Sequence, residues 1–363
     1  VVLWHGMGDD CCNPESMGRI QVLLQDSLPG VFVHSVQVGD NRDEDHESGF
    51  FGQVSDQVDL VCEQLAGIPE LADGFNAIGF SQGGLFLRAY VQRCNRPAVK
   101  QLITFGSPHG GVTDIPNCMG PRDFRCNLMR SLIRYGVYSA YVQHRVVQAQ
   151  YYKDPRNIEG YLAKNIFLPD LNNEGANKNQ TYAENLAQLD RFVMVRFAED
   201  RMVKPAETAW FWTVDEEGAL VPLEKQELYQ DDWLGLQKLG GRLEFLVSPG
   251  QHVSCFFFTN KEKRTVTHQG GMSFIDANKR SVSPRYNSTL PQRGSEPKRT
   301  NGLPTSINVI FFVLDAFLCM NDVLGTKKNS SISGPFHFQN SAFSIYTALS
   351  RLFSCLLYSL YPL

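Results

Sequence analysis

Apolar residues along the first 250 positions fall into short runs separated by stretches of helical period. The runs VVLW at 1–4, FNAIGF at 75–80, VKQLITF at 99–105, FVMVRF at 192–197 and LEFLVS at 243–248 end in glycine, proline or polar loops and are predicted as strands. VFVHSVQVG at 31–39 alternates apolar and polar residues, which predicts another strand, and Asn41 to Gly49 is predicted as a charged loop. Val54, Val58, Val61, Cys62 and Leu65 recur at helical spacing, so that segment should pack on the sheet through its apolar stripe. A second helix should run from Ser81 to near Cys94. Strands alternating with helices over this length predict one large α/β domain with additions.

Between Val112 and Asp190 the strand pattern stops. The run CNLMRSLIRYGVYSAYVQHRVVQAQYY looks helical, and the polar loop NNEGANKNQ follows it. An insertion placed between strands and this rich in Leu, Val and Tyr could line a long groove, or could simply pack on the body of the domain. Further on, WFWTV and EGALVPLEKQELY suggest a hairpin or extended arm.

The chemistry concentrates at strand ends. GFSQG at 79–83 lies between a predicted strand and a predicted helix, the setting of a nucleophile elbow, with Ser81 on the sharp turn. Side chains at Gly79 or Gly83 would collide across such a turn, and Ser81 itself must accept a strained backbone. The first strand runs into HGMG, where a backbone N–H near Met7, paired with that of Gln82, would meet an oxyanion. AED follows the fourth long run. Its Asp200 has the position of a triad acid, and Glu199 is the competitor. His252 comes one loop beyond the last strand, which completes the order Ser, Asp, His. His109, in the SPHGG loop after VKQLITF, also falls at the strand ends where ligands collect, although a loop histidine satisfied by backbone fits as well.

Composition narrows the class. The net charge of -4 argues against nucleic acid as a partner, and no Cys/His spacing resembles a metal site. No cofactor is implied by the residues. Six of the nine cysteines precede residue 130, enough for three disulfides and an oxidising compartment, while buried free thiols are the alternative. Helices flanking the elbow strand could bring Cys62 and Cys94 within bridging distance. Sequons at Asn179, Asn287 and Asn329 agree with secretion. The sequence opens at Val1 inside a predicted strand, without an initiator Met or signal peptide, and the N-terminus is inferred to be missing.

WHGMGDDCCNP, NAIGFSQGGLFLRA, FVMVRFAED, FLVSPGQH, VQHRVVQAQYYKDP and LYQDDWLGL closely resemble segments of the palmitoyl-protein thioesterases, the lysosomal type-one enzymes in particular, over residues 1–252. The resemblance implies an α/β-hydrolase fold with a helical insertion forming the acyl-binding region. It implies a serine hydrolase that removes thioester-linked palmitate from S-acylated proteins or peptides in the lysosome. Carried over position by position, it puts the nucleophile on Ser81, the acid on Asp200, the base on His252 and the oxyanion amides on Met7 and Gln82. It also pairs Cys11 with Cys12, Cys62 with Cys94 and Cys118 with Cys126. The alternatives are a lipase or carboxylesterase of the same fold, and an inactive product with a truncated core.

Expected boundaries are a core in two parts, 1–111 and 191–254, a helical cap at 112–190, and a tail at 255–363. The likeness fades after His252, where the family continues into a closing helix; a divergent tail is expected to leave His252 less well supported. Residues 256–305 are polar, basic and rich in Pro, Ser and Gly, consistent with disorder or a non-native segment. Two later apolar runs, one interrupted by Asp315 and one by Arg351, are where membrane contact through the tail would occur.

Overall fold

The computed structural model describes residues 1–115 and 123–253. Its strands are β1 (Val2–Trp4), β2 (His34–Ser35), β3 (Phe75–Phe80), β4 (Val99–Phe105), β5 (Arg191–Phe197), β6 (Thr213–Val214), β7 (Leu220–Val221) and β8 (Leu243–Ser248). All but β6 and β7 form one parallel sheet in the order β2-β1-β3-β4-β5-β8. The order reverses beside β1 and β3, and that switch point is where an open α/β sheet opens a crevice at its strand ends.

Both faces of the sheet are covered, which explains why the strand runs are almost wholly apolar. Side chains alternate across the sheet with a period of two. Val2, Trp4, Ala77, Phe192 and Met194 enter one cluster with α3 (Val54–Ala66) and α4 (Gln82–Arg93). Leu3, Ile78, Phe80, Val193, Val195 and Phe197 enter the other with α1 (Met17–Ser27). Each fully buried aliphatic or aromatic side chain here contributes roughly 1.5–3 kcal/mol. On α3 the predicted stripe of Val54, Val58, Val61 and Leu65 is buried, and Cys62 beside it bonds to Cys94 at the end of α4.

Three segments differ from their sequence patterns. In 31–39 the alternation does bury Val33, Val36 and Val38, but only His34–Ser35 pair as strand, because β1 beside them is only three residues long. The charged segment after Asn41 is a helix, α2 (Arg42–Ser48). Asn41 caps it by accepting from the Glu44 N–H, and Asp43, Glu44 and Asp45 in the first turn suit the positive end of its dipole. The long helical run of the insertion is broken into α5 (Phe124–Gly136), α6 (Ala140–Gln143) and a 3-10 turn at Val147–Tyr151. Gly136 and the Ser139 cap of α6 mark the first break. The β6–β7 hairpin agrees with the predicted arm. The tail at 255–363 and its apolar runs, together with Cys118, Asn287 and Asn329, lie outside the described residues.

Candidate active site

Ser81 sits between β3 and α4 with φ 52° and ψ −126°, a left-handed conformation that a non-glycine residue holds only under tertiary constraint. The constraint is visible. Its N–H donates to the Phe105 carbonyl at 2.7 Å, and its carbonyl accepts from the Gly84 N–H at 3.2 Å. The flanking glycines permit the close packing: a Cβ on Gly79 would lie 2.2 Å from the Gly84 Cα, and one on Gly83 2.3 Å from the His5 carbonyl oxygen. Sequence predicted both collisions.

The Ser81 hydroxyl points to His252, with Oγ 2.9 Å from Nε2, and Nδ1 of His252 is 2.6 Å from Oδ2 of Asp200. An ionised carboxylate can only accept, so Nδ1 carries the proton and Nε2 accepts from the serine. Asp200 is nearly sealed from solvent, and its other oxygen accepts from the Met202 and Val203 N–H groups at 2.9 and 3.0 Å. Its competitor Glu199 is exposed. Three residues from the ends of β3, β5 and β8 are thus aligned as hydroxyl, imidazole and carboxylate.

The HGMG loop lies against the elbow: a Cβ on Gly6 would be 3.0 Å from the Cβ of Ser81. Among the described residues neither the Met7 nor the Gln82 N–H donates a hydrogen bond, so both remain available to an incoming oxygen. The Gln82 side chain, by contrast, is fully engaged. Its Nε2 donates to the Gly49 carbonyl at 2.9 Å, and its Oε1 accepts from Gln148 Nε2 and Tyr151 Oη, each at 3.0 Å. The 3-10 turn of the insertion therefore holds the first residue of α4 from above.

A buried pair lies behind the same loop. His5 Nε2 is 3.1 Å from Asp45 Oδ1, and His5 Nδ1 is 2.9 Å from the Gly6 carbonyl. With an acceptor at each ring nitrogen, the doubly protonated imidazolium satisfies both. Burial pushes the His5 pKa down, but the hydrogen bond and charge of Asp45 outweigh it and leave it raised. Asp45 also accepts from the Val38 and Cys11 N–H groups, at 2.8 and 2.7 Å, which ties α2 to the loop of the Cys11–Cys12 disulfide.

Sequence reading passes over Asp45, Gln148 and Tyr151. The sole local sign is that His5 precedes a glycine in the loop expected to carry Met7. His109, for which the sequence leaves open both a place near the site and a satisfied loop histidine, is fully buried, its Nε2 3.0 Å from Thr104 Oγ1 and its ring stacked on Phe211, and it takes no part in the Ser81 arrangement. Burial, then the charge of Arg88, pushes its pKa well below the ordinary value and keeps it neutral. Arg88 beneath it is also fully buried, with its pKa lowered to about 9 by burial, and donates to Gln92 and Asn172. No group of His, Cys, Asp and Glu among the described residues is arranged to hold a metal ion.

Of the predicted cysteine pairs, Cys11–Cys12 and Cys62–Cys94 are bonded. Cys126 is disulfide-bonded, while Cys118 lies outside the described residues. Asn179 is exposed and caps the helix at Gln180–Ala187 through its Oδ1.

With this geometry in place, comparison with known proteins is specific. A sequence profile described as "Palmitoyl protein thioesterase" matches residues 1–252. Palmitoyl-protein thioesterase 1 of Caenorhabditis elegans is 45% identical over 257 residues, covering 70% of this chain and 86% of that protein. Palmitoyl-protein thioesterase 3 of Dictyostelium discoideum is 36% identical over 260 residues, covering 69% and 84%. The lysosomal thioesterase PPT2 of Rattus norvegicus is 27% identical over 259 residues, covering 70% and 81%.

Proposed function

This chain belongs to the palmitoyl protein thioesterase family and has the α/β-hydrolase fold, and on that footing we propose that it is a serine hydrolase cleaving long-chain acyl thioesters from the cysteines of S-acylated proteins or peptides. The observation that carries the reading is the unbroken hydrogen-bonded line Ser81, His252, Asp200 at a strained elbow.

In this reading Ser81 Oγ attacks the thioester carbonyl while His252 Nε2 takes the hydroxyl proton. Asp200 holds the imidazole in the tautomer that makes this possible and stabilises the imidazolium once formed. The carbonyl oxygen, now carrying the charge, meets the Met7 and Gln82 N–H groups; loss of one such donor typically costs about 3 kcal/mol in the transition state. The C–S bond then breaks. A cysteine thiolate, with a pKa of about 8.5, leaves readily and takes the proton from His252. Water attacks the acyl-serine by the same route, with His252 as base, and releases the fatty acid. Because the leaving group is good, orientation of the acyl chain is the harder task. The insertion, segment 112–190, supplies that in our reading, as a cap joined to the core at 1–111 and 191–254.

The family setting, the disulfides and the exposed Asn179 support a place in the secretory pathway and lysosome, with Asn179 as glycan acceptor. The test is direct. The full chain should hydrolyse a palmitoyl-cysteine peptide faster than the matched oxygen ester, and a fluorophosphonate probe should label it but not Ser81→Ala. A folded protein that leaves the thioester intact sinks the proposal, and preference for the oxygen ester replaces it with a carboxylesterase.

A further inference from the structure

The insertion helix α5 is apolar on two sides. Its inner side, Cys126, Met129 and Ile133, is buried in a cluster with Phe50, Val142 and Val146, against which Met7 also packs. Its outer side carries Phe124, Leu128 and Tyr135, spaced by four and seven residues and so on one face, with 75%, 39% and 82% of their surface exposed. Tyr141 on α6 extends the group at 55%. Single exposed apolar residues are ordinary, but Phe124, Leu128 and Tyr135 on one face of α5, with Tyr141 exposed on the helix that follows, make a patch.

Along the segment itself the charge has one sign, although Asp123, the N-cap of α5, and Glu47 lie at its edge. From Phe124 to Lys153 the chain has Arg125, Arg130, Arg134, Arg145 and Lys153 and no Asp or Glu, within a chain whose net charge is -4. Some of these cations are engaged elsewhere: Arg125 lies 3.8 Å from Glu47, Lys153 2.6 Å from Glu174, and Arg130 donates to the Ile115 carbonyl. Arg134 and Arg145 are exposed beside the aromatics, and the Arg145 guanidinium lies 4.7 Å from the centre of the Tyr141 ring. Aromatic rings with a polar edge, flanked by arginine, match the headgroup zone of a bilayer: the rings sit at its depth and the cations meet its negative potential.

We propose that the outer face of α5, extended by Tyr141 and Arg145, docks on an anionic lipid bilayer. The surface is a helix flank rather than a groove, which suits a plane of lipid better than an inserted peptide. Met7 packs against the cluster behind it, so docking there would bring a membrane-held acyl chain to the side of the enzyme where the oxyanion loop lies. Docking itself does not depend on the thioesterase reading.

Flotation of the full chain with phosphatidylcholine vesicles, with and without phosphatidylserine, tests it. Wild type should float with the anionic vesicles only. Arg134→Ser and Arg145→Ser should each lower the bound fraction about fivefold. Phe124→Ser with Tyr135→Ser should abolish flotation, while every variant retains wild-type turnover of a water-soluble short-chain thioester. A wild type that stays with the buffer, or variants that float as well as wild type, overturns the proposal. So does a dimer in sedimentation without lipid that the aromatic substitutions dissociate, because the face then belongs to a second copy. Failure of wild type to turn over the soluble thioester would refute the proposed function without altering the flotation result.

Discussion

Asp45→Asn probes a part of the site that touches no substrate. In the native protein three N–H donors converge on the carboxylate: His5 Nε2 and the Val38 amide on Oδ1, and the Cys11 amide on Oδ2. An amide of the same shape offers one acceptor oxygen, so its NH2 must face at least one of those donors, and the charge opposite His5 is gone. Orphaning one buried donor costs about 1–3 kcal/mol, and breaking a buried ion pair by removing one partner about 3–5 kcal/mol. A loss of about 3–5 kcal/mol is therefore expected, enough to lower the urea midpoint by about 1–2 M while leaving a domain of ordinary stability folded.

The pH dependence identifies the charge. The folded-state pKa of His5 is raised, so the stability it contributes is fully present below the ordinary histidine value of about 6.5 and is lost as pH rises through the higher folded value. In Asp45→Asn only burial and the Gly6 carbonyl act strongly on the ring, the histidine is held neutral, and its folded pKa is depressed. That variant loses stability as pH falls instead. The gap between the two proteins should be widest at about pH 5 and narrow toward about pH 9 in paired urea titrations. A gap of equal size at both ends would mean that His5 is not an imidazolium in the fold, and the account of the loop would fail.

Asp200→Asn should leave the fold intact and lower kcat on a soluble thioester by about 10⁴-fold, through loss of the tautomer that lets Nε2 accept. Tyr151→Phe removes one of two donors to Gln82 Oε1; a fall of a few-fold in kcat with KM unchanged, and about 1 kcal/mol less stability by thermal melting, is expected. An unchanged kcat would show that the side chain of Gln82 does not set the position of its N–H. Cys62→Ser opens the bridge between α3 and α4 and should cost about 2–4 kcal/mol in denaturant titration, with turnover at low temperature unaltered.

What the sequence discloses and what it withholds follow from range. Ser81 is legible because strand, glycines and helix are all within a few residues, so the local pattern carries the geometry. Asp200 and His252 are legible by their position after strand runs, since a parallel sheet gathers the ends of all its strands at one edge. Asp45 is not, because it lies 40 residues from His5 and its segment resembles any solvated charged loop until Asn41 caps it as α2. Gln148 and Tyr151 are hidden for the same reason: they meet Gln82 across 66 and 69 residues, by side-chain hydrogen bonds that no periodicity records. His109 stays ambiguous in the sequence because position in a loop says where the backbone is and not which way a ring turns.

The seat of His252 shows how much of the site is built from the sheet. The Ala198 N–H donates to the Ser248 carbonyl and the Glu199 N–H to the Gly250 carbonyl, both at 2.9 Å, so the loop carrying the imidazole is stitched to the loop carrying Asp200. The ring lies edge-on to Phe197, with centroids 6.0 Å apart, and leaves no room for a side chain at position 106, where a Cβ would come within 2.9 Å of Cε1. Among the described residues these contacts come from β4, β5, β8 and the loops that follow them. The imidazole is thus positioned by the same strand ends that position the Asp200 carboxylate and, through the Phe105 carbonyl, Ser81. A shift of β5 against β4 would move Asp200 and His252 together relative to Ser81, so the register of that strand pair is a determinant of the 2.9 Å contact between His252 and Ser81.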